Sequence, residues 1–201
     1  MGKRESDLRV IRTRRSIREA FCGMIMEMDY KDITVKALVE RAMINRNTFY
    51  LHYSGTAELL KSLEDDLLSE LQELVDSHMQ ETVSAGSVAP VFEPVLDFAA
   101  ERRETFTVLF SSSEASGFFQ SIQQLVHKNG SPLVRTWYRP QDPRLTDYLL
   151  NFLAWGFIGL LTQWFESGMA LPKAELLSAA QRMADGASAG LFVQRERGDL
   201  E

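Results

Sequence analysis

Arg46, Asn47, Thr48, Tyr50 and His52 crowd into one short stretch, NRNTFYLHY, that Asn45 opens and Tyr53 closes. An arginine fork matches guanine O6 and N7, and an asparagine amide matches adenine N6 and N7. Threonine, tyrosine and histidine donate to phosphate oxygens. On helical phasing these polar side chains point outward, while Ile44, Phe49 and Tyr53 point back toward a neighbouring element. That chemistry is recognition of a nucleic-acid groove rather than bond breaking.

The stretch needs a partner helix to hold it, and the residues before it supply one. Val35, Leu38, Val39 and Ala42 repeat at spacings of three and four, with Thr34 as N-cap. A capping box would want Glu or Gln three residues later and finds Ala37, so the cap rests on the threonine hydroxyl. Met43, Ile44 and Asn45 then form a turn, and Asn45 caps the next helix. Two short helices joined in this way, the second in a major groove, make a helix-turn-helix.

Ile33-Thr34-Val35, Ala42-Met43-Ile44-Asn45, Thr48 to Tyr53 and Glu58-Leu59-Leu60 together resemble the N-terminal domain of TetR/AcrR-type transcriptional regulators, over residues 8 to 62. The resemblance implies phosphate contacts from Tyr50 and His52 and base contacts from Arg46 and Asn47. It also brings the N-terminal end of the first helix, with Arg12, Thr13 or Arg15, near the backbone. The candidate DNA-binding set is Thr34, Lys36, Asn45, Arg46, Asn47, Thr48, Tyr50, His52 and Thr56. Three positions depart from the family pattern: Asp29 and Met43 stand where glycine is usual, and Thr56 where lysine is usual. A methionine in a left-handed turn costs about 1 kcal/mol, unless the turn here has negative φ.

Charge agrees with this division of labour. Residues 1–53 hold 11 Lys and Arg against 7 Asp and Glu, whereas the rest hold 11 against 21, within a net charge of −6. A basic module on an acidic body attracts phosphate locally. The single cysteine, Cys22, excludes an intrachain disulfide, and no secretory pattern opens the chain, so a reducing cytoplasm is the expected home. Three histidines, one cysteine and no paired carboxylates in a recognisable setting offer no nucleophile, base or cofactor loop, so neither enzyme activity nor a metal or cofactor is expected.

Helical periodicity runs through the remainder, and the expected class is all-α: an N-terminal three-helix helix-turn-helix domain, 1–55, then a larger helical ligand-binding and dimerisation domain, 56–201. Helices are expected over 7–28, 56–79, 92–103, 106–110 and 117–128. A loop is expected at 82–89 and a break at Asn129-Gly130-Ser131-Pro132. Another helix runs from Asp142-Pro143 to about Ser167, apolar nearly all round, and a last one follows Pro172. The uninterrupted apolar run in the former is about ten residues, shorter than a membrane span needs.

Trp155-Gly156 and Trp164 to Gly168 resemble the C-terminal domain of one TetR subgroup. The resemblance implies a homodimer through the last two helices, for which Ala154, Phe157, Leu161, Trp164, Leu177, Ala180, Met183, Ala187 and Leu191 are the candidates. It further implies an effector pocket for a small apolar or aromatic molecule, with Phe98, Phe106, Phe110, Phe119, Trp137, Tyr148, Phe152 and Trp155 as candidate walls. The implied function is a homodimeric repressor on a pseudo-palindromic operator in double-stranded DNA. The other reading is a helical protein-interaction module of the same fold with weak or lost DNA binding.

Overall fold

In the computed structural model, residues 2–111, 116–140, 142, 144–189 and 191–194 are described, and side chains over 8–109, 117–138, 142, 144–189 and 191. The chain is all-α, with nine helices among those residues: α1 Gly2–Ile25, α2 Val35–Arg41, α3 Arg46–Tyr50, α4 Thr56–Ala85, α5 Ala89–Glu101, α6 Arg103–Ser111, α7 Ser116–Trp137, α8 Leu145–Glu166 and α9 Lys173–Ala189. A 3-10 turn, Tyr30–Asp32, precedes α2. One feature lies outside the helical pattern. Strands β1 Tyr138–Pro140 and β2 Phe192–Gln194 pair antiparallel, Tyr138 opposite Gln194.

Two compact units divide the chain. The first runs to Leu67 and takes in the segment from Glu104 that forms most of α6; the second holds the rest. In the first, α1 contributes Ile17, Ala20, Phe21 and Met24 to the core, α2 Leu38 and Val39, α3 Phe49, α4 Leu59, Leu60 and Leu63, and α6 Phe106, Val108 and Leu109. Phe21 and Phe49 are fully buried, each contributing about 1.5–3 kcal/mol of transfer free energy. Arg41 at the end of α2 grips Glu27 with two hydrogen bonds of 2.5 and 2.8 Å, fixing α2 to the chain that follows α1. Arg18 reaches Asp66 and Ser62 on α4.

Several boundaries differ from the sequence expectation, for identifiable reasons. Helix α1 ends at Ile25, three residues short of the expected end at Met28, which is exposed. The span of α4 reaches Ala85, 30 residues or roughly 45 Å, because nothing between Met79 and Ala85 breaks a helix. At its start, where Thr56 is the first helical residue as expected, Glu58 reaches back to accept the backbone N–H of Ser54 at 2.6 Å.

The expected break at 129–132 is absent, and α7 continues with Pro132 inside it. Gly130 serves packing there, not a turn, since a Cβ on it would meet Leu150 Cδ2 at 2.6 Å. The Asn129 amide is satisfied by Leu125 O at 2.9 Å.

Helix α8 begins after Asp142, whose carboxylate accepts the backbone N–H of Arg144 at 3.0 Å; Pro143 lies outside the described residues. It ends in a Schellman turn: Met169 N–H donates to Trp164 O at 2.7 Å and Gly168 N–H to Phe165 O at 2.9 Å, with Gly168 at φ +70. The run-length argument against a membrane span does not carry, because α8 is long and apolar enough to cross a membrane by length and composition. A buried or interface helix of a protein in water has the same composition.

Candidate nucleic-acid interface

The two short helices form as their caps dictate. Thr34 Oγ1 accepts the Ala37 N–H at 3.2 Å, and Asn45 Oδ1 accepts the Thr48 N–H at 2.7 Å, so each helix begins on a side-chain acceptor. Between them α2 closes as a Schellman turn. Ile44 N–H donates to Val39 O at 3.0 Å and Met43 N–H to Glu40 O at 3.2 Å, which places Met43 at the left-handed position with φ +53. The family's glycine at this position is therefore conformationally meaningful. Asp29 is a different case, extended at φ −60, so no left-handed residue is required there.

Burial of Phe49 and Tyr53 fixes the rotation of α3 and leaves Asn45, Arg46, Asn47 and Tyr50 on the surface. Arg46 is engaged with its neighbour one turn on: Nη2 donates to Tyr50 Oη at 3.1 Å, and the guanidinium carbon sits 5.5 Å from the tyrosine ring centre. The Tyr50 hydroxyl proton stays available for an outside acceptor. Thr48 is half-buried, and its hydroxyl lies 2.9 Å from Asn45 Oδ1, to which it donates. Its donor is thus spent inside the cap in the DNA-free chain. Lys36 and Thr34 are exposed, while His52 and Thr56 are half-buried.

Not every cation of this unit is free. Arg15 pairs with Glu19 at 2.8 Å, Arg18 with Asp66, and Arg41 with Glu27. Arg9, Arg12, Arg14 and Lys36 are exposed and make no ion pair among the described residues. Arg9 and Arg14 are the two that sequence reasoning passed over, and Arg14 lies beside a nominated residue. The pKa of His52 is held below the usual imidazole value first by burial and then by the charge of Arg14, so the two lie close together. Its signal was legible: Arg14 falls three residues before Ile17 and seven before Phe21, on the stripe that packs toward the helix-turn-helix.

The second unit redistributes the candidate pocket and interface residues. Ala154, Leu161, Trp164 and Ala180 are buried inside the chain. Phe157 packs on Phe92 with ring centres 4.2 Å apart, Ala187 and Leu191 lie on the Val134, Leu149 and Leu150 cluster, and Leu177 is half-buried. Of the nine nominated interface residues only Met183 is exposed. Conversely Tyr148, Phe152 and Trp155, nominated for the pocket, are 73%, 64% and 51% exposed and share one face of α8 with Gly156 and Gly159. The exposed face of α8 is thus the one that carries the pocket candidates, and the interface candidates lie mostly on the covered side.

The other nominated rings are divided between the two units. Phe106 is buried in the first unit, and the side chain of Phe110 lies outside the described residues. Phe98 lies 5.6 Å from the Arg102 guanidinium, Phe119 is 6.2 Å from Trp155, and Trp137 Nε1 donates to Val83 O at 3.4 Å. A shallow groove of about 370 Å³ lies along α9, lined by Leu171, Ala174, Glu175, Ser178, Ala179 and Arg182, none of them in the nominated set.

A helix-turn-helix reader carried with a larger helical unit is the class that this fold and site define. The family model described as "Transcriptional regulator C-terminal region", TetR_C_8, matches residues 86–186, just over half of the 201-residue chain. Over 131 residues the chain is 27% identical to the uncharacterised HTH-type transcriptional regulator YxbF of Bacillus subtilis (strain 168), covering 61% of this chain and 34% of that protein. It thus spans about a third of the length of the curated relative it matches. A TetR transcriptional regulator from Streptococcus agalactiae 2603V has the same fold, with a TM-score of 0.67, 24% identity, and coverage of 90% of this chain and 98% of that one. The dihydroxyacetone kinase operon activator DhaS is similar over the same shares of both chains, with a TM-score of 0.61 and 16% identity.

The chain belongs to the TetR family of transcriptional regulators. Proteins of this family bind DNA and dimerise, and they are regulators rather than enzymes.

Proposed function

We propose that the chain is a homodimeric, cytoplasmic repressor that reads a pseudo-palindromic operator with two copies of α3. The observation that carries the reading is the capped α3, with Phe49 and Tyr53 buried behind it and Arg46, Asn47 and Tyr50 turned out. Arg46 and Asn47 read base edges. Tyr50, His52, Thr34, Lys36 and the added Arg14 hold phosphates. Residues 1–55 are the reading part and 56–201 the part that dimerises and senses.

The dimer is supported by α8, whose exposed face carries Tyr148, Phe152 and Trp155 beside Gly156 and Gly159. Large rings next to glycines let two helices approach closely and bury apolar surface, which water otherwise covers at about 25 cal/mol per Å². Met183 on α9 extends the apolar surface available to the second copy. Control by a small apolar or aromatic effector belongs to the same proposal. It is supported by the family and by the half-buried Phe98, Phe119 and Trp137 of the second unit. An effector acts by preferring one spacing of the two reading helices over another.

Selection of binding sites from a random DNA pool, followed by footprinting, tests the reading. Two half-sites about 34–36 Å apart centre to centre are expected. Arg46→Ala and Asn47→Ala should each relax base preference by about 1–3 kcal/mol. If the chain sediments as a dimer and enriches no sequence, the protein-interaction module is the better reading.

A further inference from the structure

Leu51 is 82% exposed, and neither the cap nor the core uses it. A single exposed leucine is ordinary on a protein surface; its register is what sets this one apart. Phe49 fixes the buried side of α3, and Asn47 and Leu51 lie two residues before and two after it. At 100° per residue each stands about 160° around the helix from Phe49. Leu51 is the C-cap residue and keeps right-handed helical angles, φ −72 and ψ −17, with its N–H on Asn47 O at 3.2 Å, so the helical phasing holds through it. Asn47 and Leu51 are therefore the two residues of α3 aimed most directly away from the core, one turn apart.

We propose that Leu51 is a specificity residue that reads the 5-methyl group of a thymine in the major groove, one turn along from the base read by Asn47. The inference rests on the DNA-reading function proposed above. Among the base edges of the major groove, the thymine methyl is the one alkyl group, and it offers far more apolar surface than the C–H of cytosine beside its donors and acceptors. A leucine carried there has no polar edge that it can satisfy, and a polar edge facing it loses its water without gaining a partner. Thymine is the base whose edge it matches, and in a dimer the preference recurs once in each half-site.

The test uses the full chain and sites that it selects itself. After selection from a random pool, each thymine is replaced in turn by deoxyuridine, which deletes the methyl group and leaves the protein unchanged. One thymine per half-site is expected to matter, with affinity falling about four-fold for one methyl and about fifteen-fold for both. Leu51→Ala should bind the thymine and deoxyuridine sites equally, at the wild type's affinity for deoxyuridine. Its thermal midpoint should match the wild type, since the side chain is exposed.

Wild-type binding indifferent to every methyl, or a methyl effect that survives in Leu51→Ala, overturns the assignment and leaves the reading function standing. Failure to enrich any site overturns the reading function, and this inference with it.

Discussion

Replacing Met43 by glycine should stabilise the protein, although it removes a large apolar side chain. Met43 sits at φ +53, the left-handed position of the Schellman turn that closes α2, with its own N–H and that of Ile44 both bonded back into the helix. An L-residue there brings Cβ against the following carbonyl, at a cost of about 1–2 kcal/mol. Glycine removes that contact but loses about 0.5–1 kcal/mol more backbone freedom on folding. The side chain is 90% exposed, so its deletion forfeits almost no burial. The net expectation is a gain of roughly 0.5–1 kcal/mol, or about 1–4 °C in midpoint for a chain of this size. Urea and thermal unfolding followed by circular dichroism measure it, with an unchanged m-value required. Met43→Ala is the control. It keeps Cβ and should stay within about 0.5 kcal/mol of the wild type. If glycine is neutral or destabilising, or if alanine stabilises as much, left-handed strain is not what this methionine costs.

Cys22 should be inert in the folded protein: burial first, and then the Glu104 carboxylate, push its thiol up to about 11. A coloured disulfide reagent at pH 8 should react only after denaturation, and stability should decline once pH rises past the thiol's ordinary value near 9, where the unfolded chain ionises first. His52 should make DNA binding proton-linked. Its pKa is depressed in the free protein, and an approaching phosphate raises it, so affinity should fall as pH rises through the interval between the free and bound values. Gel shifts from pH 5.5 to 8 measure this, and His52→Gln should flatten the profile; a pH-independent wild type removes His52 from the phosphate contacts. A fragment ending at residue 55 should fail to fold, because Leu59, Leu60 and Leu63 of α4 and Phe106, Val108 and Leu109 of α6 complete the core of the first unit. A proton spectrum with native dispersion from that fragment would contradict this.

Local rules located the helix-turn-helix well, because everything that defines it lies within a few residues. Thr34 and Asn45 cap as their types demand, and Phe49 has no alternative to burial between polar neighbours. Where a boundary depended on another element, local rules misled. Gly130 and Pro132 look like a break, yet Gly130 is where the Leu150 side chain comes closest, and packing carries the helix past both. Thr48 has the composition of a phosphate donor, but in the DNA-free chain the cap three residues before it takes the hydroxyl proton. The pairing of β1 with β2 joins residues more than fifty positions apart, and three-residue strands leave no alternation to read.

The orientation of α8 could not be read from its sequence. A helix that is apolar all round has no polar face to reveal its orientation, so the sequence says only that two sides are covered, not which element covers which. Here α8 lays Ala154, Ile158, Leu161 and Trp164 against its own chain and turns Tyr148, Phe152 and Trp155 outward. Large rings thus lie on both sides of the helix, Trp164 and Phe165 buried and Tyr148, Phe152 and Trp155 in water. An exposed face of three large rings gains by closing against a matching surface, and the glycines at 156 and 159 allow the close approach that such a closure needs. Tyr148, Phe152 and Trp155, which the resemblance assigned to an effector pocket, therefore lie on the face that the proposed dimer would use. In the proposed dimer, an effector bound beside that face would act through a small shift of α8 that changes the relation of one protomer to the other.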